Sequence, residues 1–313
     1  MRTYILPESG KLYKVNLHTH STLSDGAFAP EELKAYYKAH GYSAVAFTDH
    51  RKCVPHPELT DDQFIALTGI ELDFSSKDEA GVWAHTTHFC GLAKDPMARL
   101  EYPNEPLPLS YLNVNTEIAK LNDAGFVTTV NHPTWSDMST EDVLSLHGMR
   151  CIEVFNSVAV VIDNYSDDSS YFEHFTRAGG RALPVAADDC HVKGTDGGPG
   201  PEYFRGFNVV KAPELSYDAL VQGIENGASF ASTGPMFKNL WLDGNILHVE
   251  CSPVSRIFVH GHRYSQLTRV LEDGDCITER DIDISKLCGK TSYIWVQLCD
   301  SQGRKAWAPP YWF

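Results

Sequence analysis

Between Leu12 and about Phe230, short apolar segments of strand length alternate with amphipathic segments of helix length, and this alternation constrains the fold more than any other feature of the chain. "LYKVNLH" precedes "PEELKAYYKAHG", a helix that Pro30 opens and Gly41 stops, and "YSAVAFTDH" follows as a buried strand. The strand-like segments "FIALTGIEL", "THFCGL", "GFVTTVNH", "CIEVFN", "ALPVAADD" and "GFNVVKA" continue the cycle. Among them fall the helical segments "LSYLNVNTEIAKLNDAG", "STEDVLSLHG", "SSYFEHFTRAGG" and "SYDALVQGIENG", the second led by a Ser139…Asp142 capping-box pattern. The alternation predicts an α/β fold of parallel strands, in an open sheet or a closed barrel. After "FASTGP" (Phe230 to Pro235) the pattern changes to strands and hairpin turns: "NLWLDGNILHVEC" with Asp243-Gly244 as its turn, "RIFVHGH", and "TSYIWVQLCDSQGRKAWA". A domain over residues 1–235 followed by a small all-β module over 236–313 is therefore expected.

Lys and Arg total 26 against 41 Asp and Glu, a formal net charge of -15, so a long nucleic acid would meet repulsion. A small anionic substrate remains compatible with this balance if dications neutralise part of the carboxylate charge locally. The N-terminal stretch lacks the apolar core of a signal peptide, and no apolar run approaches a membrane span, so a cytoplasmic protein without a membrane partner is expected. The eight cysteines are scattered without any C-x-x-C pair and read as buried free thiols.

In a parallel α/β fold the C-terminal ends of the strands share the face where ligands bind. Those ends carry His18 and His20, then Asp49-His50, Glu71, His88, His132, and finally Asp189 with His191. Residues i and i+2 of an extended strand point the same way, so His18 with His20, and Asp189 with His191, can each present two donors to one ion. Imidazole and carboxylate together suit zinc, manganese or iron, and a carboxylate such as Glu71 can bridge two ions. Asp188 lacks the i+2 relation to His191 and reads as structural, while Cys190 should point into the core. His260 and His262 in "HGH" lie on an expected hairpin of the β module, apart from the other candidates.

The ordered motifs "HTHSTLSDG", "TDH", "GIE", "HFCGL", "NHP" and "DCH", spanning about Val15 to Pro235, resemble the PHP family, the polymerase and histidinol phosphatase metallohydrolases. The resemblance implies a distorted seven-stranded (β/α) barrel holding two or three divalent ions at its strand ends. It implies that His18, His20, Glu71 and Asp189 surround one ion, that Glu71, His88 and His132 hold a second with Glu71 bridging, and that Asp25, His50 and His191 form a third, more exposed site. It also favours His88 over the neighbouring His85. The "FASTGP" junction and the ending "GRKAWAPPYW" are similar to a PHP subgroup related to carbaryl-hydrolase-type metallohydrolases. The stretch between His88 and His132 is short for the helical insertion of the nucleotide-cleaving members.

The activity so implied is hydrolysis of a small phosphoester, a phosphomonoester or phosphodiester, by a metal-activated hydroxide, with Glu71 central and Asp25 or His191 able to protonate the leaving group. Arg51, Lys193 and Arg205 are the cations nearest the motifs in sequence and are expected to contact a substrate anion, and Asn156 to orient a ligand or water. Two rival readings stand beside this one: a metal-dependent carboxyl-ester, carbamate or amide hydrolase, and a non-catalytic metal-containing binding or regulatory domain.

Overall fold

The structure is a computed structural model describing residues 2–262 and 269–313. Seven strands lie side by side in chain order: β1 (Lys11–Asn16), β2 (Ala44–Phe47), β3 (Ile65–Lys77), β4 (Trp83–Ala93), β5 (Phe126–Val130), β6 (Cys151–Asn156) and β7 (Leu183–Ala187). On the free side of β1 the same sheet continues through β8 (Phe207–Ala212) and β9 (Ser229–Ser232). β2 reads "AVAF" and is buried on both faces, as a strand with parallel neighbours on either side requires.

The expectation of parallel strands throughout is corrected at two segments. Pairing is parallel for β1–β2, β2–β3, β5–β6 and β6–β7, but β4 runs antiparallel to both β3 and β5, and β8 runs antiparallel to β1. The reason for β4 is loop length, because the turn of residues 78–82 is far shorter than the roughly dozen residues that a parallel crossover needs. "THFCGL" is therefore the return arm of a long hairpin, and Glu71 stands mid-strand opposite Cys90 rather than at a strand end. Among the described residues no ladder closes β7 onto β1. One parallel bridge, Thr19 to Cys190, links the loops beyond them, Asp189 N–H donates to the His18 carbonyl at 3.0 Å, and the Asn208 amide bonds both backbone groups of Ala186. The curled sheet thus brings "LHTH" and "DDCH" together with few shared backbone bonds.

Helices cover the sheet where the pattern places them. α1 (Pro30–Ala39) starts at Pro30 and buries Leu33 and Tyr37 one turn apart; α2 (Tyr111–Asp123), capped by Ser110, buries Val114, Ile118 and Leu121. α3 (Thr140–Leu144) has the expected Ser139–Asp142 box but is only five residues long. α4 (Ser169–Arg177) and α5 (Tyr217–Glu225) follow, and a π-helical turn over Val158–Ile162 has no counterpart in the sequence reading.

In the C-terminal part, β10 (Phe237–Asp243) and β11 (Ile246–Val254) form the expected hairpin. Asp243 pairs with Ile246, so the turn residues are Gly244 and Asn245, with Gly244 at a φ of 59°. β12 (Arg256–His260), β13 (Arg269–Leu271), β14 (Ile277–Asp283), β15 (Tyr293–Cys299) and β16 (Lys305–Trp307) complete it. β16 pairs with both β9 and β15, so these strands extend the main sheet, and one apolar cluster joins Leu33 and Tyr37 of α1 to Leu240, Val249, Ile257 and Val296. Six of the eight thiols are buried as expected; Cys276 is exposed and Cys288 half-buried, both on polar connections of this part. No helix among the described residues is long and apolar enough to cross a membrane.

Candidate metal centre

Four imidazole and carboxylate groups meet at the end of β1. His18 Nε2 lies 3.1 Å from His20 Nε2, 3.1 Å from Asp189 Oδ1 and 3.2 Å from Glu71 Oε1; His20 Nε2 lies 3.1 Å from Asp189 Oδ1 and 3.2 Å from Glu71 Oε2. Next to them, His88 Nδ1 and His132 Nε2 approach Glu71 Oε1 at 3.2 and 3.6 Å. At the mouth, Asp25 stands 3.4 Å from His20, 3.6 Å from His50 and 3.7 Å from His191, and His50 Nδ1 is 3.1 Å from Glu71 Oε2. All nine expected ligands are brought together, with Glu71 and His20 at the seams between clusters.

The arrangement fits divalent ions on its own terms. Donor atoms around an ion with bonds of about 2.0–2.2 Å stand roughly 2.9–3.5 Å from one another, which is the spacing found here. Asp189 Oδ1 and His50 Nδ1 are buried and close to other donors and acceptors of the cluster, yet neither makes a well-aligned hydrogen bond, an arrangement that suits a shared ion better than a hydrogen-bond network. Local backbone supports the placement. Gly26 is needed because a side chain there would collide with the His20 carbonyl, and this tight return sets Asp25 beside the imidazoles. His132 and Asp189 both adopt positive φ, 29° and 53°, strain of the kind held at sites by surrounding contacts.

Several functional contacts escaped the sequence reading. Glu153, buried in the middle of β6, accepts from His18 Nδ1 at 2.8 Å through one oxygen and from the His132 backbone N–H at 2.8 Å through the other, which also takes Asn156 Nδ2 at 2.9 Å. One carboxylate therefore turns the His18 Nε2 lone pair toward the cluster and holds the strained His132 backbone. Asn131 donates to Glu71 Oε1 at 2.6 Å, and Asn156, read from the sequence as a residue orienting a ligand or water, donates to Asp189 Oδ2 at 3.1 Å. Asp49 accepts from Ser21 and Ser24 and shapes the loop carrying Asp25. Cys90 also reaches His18 and Glu71, but burial pushes its thiol up to about 11, so it stays protonated. The signal for Glu153 was available: it is the one charged residue in the otherwise apolar run "CIEVF".

Other expectations sort plainly. Asp188 accepts three backbone N–H groups from Phe204, Arg205 and Gly206 and the Tyr37 hydroxyl, a structural anchor. Cys190 points to Tyr37, away from the cluster. His85 is exposed on the hairpin arm, and His260 stacks on Trp295 and joins no candidate cluster among the described residues. The expected cations do not reach the cleft. Arg51 is tied in an ion pair to Asp73, Lys193 lies over the Phe28 ring, and Arg205 donates to the Pro201 carbonyl. Arg51 directly follows His50 in sequence, yet the backbone turns there through a φ of 60°. The cleft itself, about 270 Å³, is lined by seven of the candidate ligands together with Trp135, Asn156, Val158 and Asp163.

Charge coupling gives the metal-free cluster a definite protonation state. Burial disfavours imidazolium at His18 and His20, yet Asp189 and Glu71 outweigh it, holding His18 well above the ordinary range and His20 up to about 10. At His50 burial wins, and its pKa falls to about 4. Glu71 and Asp189, buried as they are, are pulled below the carboxylate range by the surrounding imidazoles. Raised imidazole pKa values favour protons on the His18–His20 pair without an ion, so ions must displace them and affinity falls as pH falls. Calorimetry in buffers of differing ionisation enthalpy, at about pH 7, should show release of on the order of two protons per chain on loading. Proton-neutral binding would refute this account of the cluster.

No family model matches the chain, and no curated protein matches it. Among solved structures it is similar to a two-domain protein from Bacteroides vulgatus containing a predicted PHP-like metal-dependent phosphoesterase, with 13% identity over 98% of this chain and 97% of that one and a TM-score of 0.49. It is also similar to an amidohydrolase from Chromobacterium violaceum with bound sulfate and no metal, with 18% identity, 60% and 92% coverage and a TM-score of 0.44. A candidate metal-dependent phosphoesterase from Bifidobacterium adolescentis is a third, with 16% identity, 63% and 92% coverage and a TM-score of 0.40. A PHP-like metal-dependent phosphoesterase is thus among its structural neighbours, and none of these three is described as a carbaryl hydrolase.

Proposed function

We propose that the chain is a metal-dependent hydrolase of PHP type acting on a small phosphoester. The observation that carries this reading is the convergence of His18, His20, Glu71, His88, His132 and Asp189 with the outer group Asp25, His50 and His191, their donor atoms within ion-sharing distance of one another. Two or three divalent ions held there, with manganese, zinc and iron suited to the donors, would lower the pKa of a water and neutralise charge developing on phosphoryl oxygens. The protein's own part is positioning. Glu153 sets the tautomer of His18, Asn131 and Asn156 fix the carboxylates of Glu71 and Asp189, and the buried cluster keeps bulk water from the donors. Asp25 and His191 are the most exposed of the set and stand at the mouth, where a proton can pass to a leaving group. In this reading residues 1–235 form the catalytic unit, its curled seven-strand arc serving as a distorted barrel, and 236–313 the module that buttresses it.

Elemental analysis after loading should give about two or three divalent ions per chain, and their removal should abolish phosphoester turnover reversibly. Less than one ion after loading with manganese, zinc and iron in turn would overturn the proposal. A carbonyl hydrolase is the second reading, favoured by one observation: no Lys or Arg is among the described residues lining the cleft. Matched phosphate and carbamate substrates on one loaded preparation separate the two, and a higher kcat/KM for the carbamate would transfer the assignment.

A further inference from the structure

Beside the donor cluster, the cleft has a lining of a different chemical kind. Trp135 follows His132 by three residues, stands edge-on to the imidazoles of His88 and His132 with ring centroids 5.6 and 4.9 Å away, and is about one-third exposed at 36%. Its indole N–H donates to Asp163 Oδ2 at 2.8 Å, so the ring is fixed in orientation and its polar atom is already satisfied. Asp163 ends the π-helical turn whose first residue, Val158, lines the cleft beside Trp135, and whose Val161 and Ile162 remain exposed. A π-helical turn is uncommon and is found chiefly at functional sites. Trp135 lines the cleft with part of its surface open to water, apolar area that a ligand can cover. No cationic side chain shares this lining, so ionic recognition of a second anionic group has no partner there.

We infer that Trp135 and Val158 form a subsite for a flat, apolar group attached next to the scissile bond, so that the substrate class is an aryl or similarly aromatic ester rather than a sugar phosphate or a polyanion. This rests on the hydrolase reading above and adds the half of the substrate that the ions do not contact. Asp163 is a positioning residue for it, acting only through the indole N–H. Burying a phenyl ring against an indole and a valine is worth enough to separate an aromatic from a methyl ligand by roughly tenfold or more.

The test uses the manganese-loaded protein with phenylphosphonate and methylphosphonate, two non-hydrolysable probes sharing one anionic head, titrated by calorimetry. Wild type is expected to favour the phenyl probe about tenfold or more, Trp135→Ala to erase the preference, and Trp135→Phe to retain most of it. Comparing the two probes within each variant cancels any general loss of ions or fold. Equal affinities in wild type, or a preference unchanged in Trp135→Ala, would overturn the subsite while leaving the metal-dependent hydrolase standing. Failure of both probes to bind would instead overturn the phosphoester reading, and the subsite with it.

Discussion

Glu71→Gln is expected to lower kcat/KM by more than roughly 10³-fold, about 4 kcal/mol, in a protein that still folds. Glu71 is buried and lies within 3.6 Å of nitrogens from His18, His20, His50, His88 and His132, so it touches five of the candidate ligands at once, His50 of the outer group among them. An amide keeps the volume and can still accept from Asn131, but it loses the charge and turns an NH2 group toward imidazoles that need an acceptor or a shared ion. Circular dichroism should match wild type, and ion content should fall below that of wild type. Turnover within threefold of wild type would show that Glu71 is not the shared donor.

The second large effect is expected at a residue that touches no substrate. Glu153→Gln should weaken ion affinity by about 10- to 100-fold, the usual cost of removing the partner that orients a ligand. Both oxygens of Glu153 accept: one from His18 Nδ1, the other from the His132 N–H and the Asn156 amide. Glutamine has one acceptor, so an NH2 group must face a donor at one end or the other, and a buried unmatched donor pair costs about 1–3 kcal/mol. Calorimetric ion titration reads the loss directly, and nitrogen chemical shifts of His18 read the tautomer. Unchanged affinity together with an unchanged tautomer would mean that Glu153 only fills space.

What was legible in the chain was whatever depends on near neighbours. The i, i+2 pairs His18–His20 and Asp189–His191 follow from the geometry of an extended strand alone, and ordered motifs pick out His50, Glu71, His88 and His132 around them. Helix starts at Pro30 and Ser139 were readable because helix initiation and capping are local chemistry. Even the structural role of Asp188 was accessible, since its neighbour Asp189 has the register that ligation needs.

Pairing direction, partner choice and cleft lining were decided only in three dimensions. Whether "THFCGL" runs with or against "FIALTGIEL" is set by the five-residue turn between the strands that carry them, and whether Arg51 meets a substrate or Asp73 is set by a carboxylate on the adjacent strand. Glu153, Asn131 and Trp135 acquire their roles because β4, β5 and β6 stand side by side, placing residues far apart in the chain within hydrogen-bond reach. The physical reason is one of range: backbone periodicity and capping act over about four residues, so the sequence itself specifies which face a side chain takes. What that side chain meets on the other side depends on sheet curvature and loop closure, and those are properties of the folded whole.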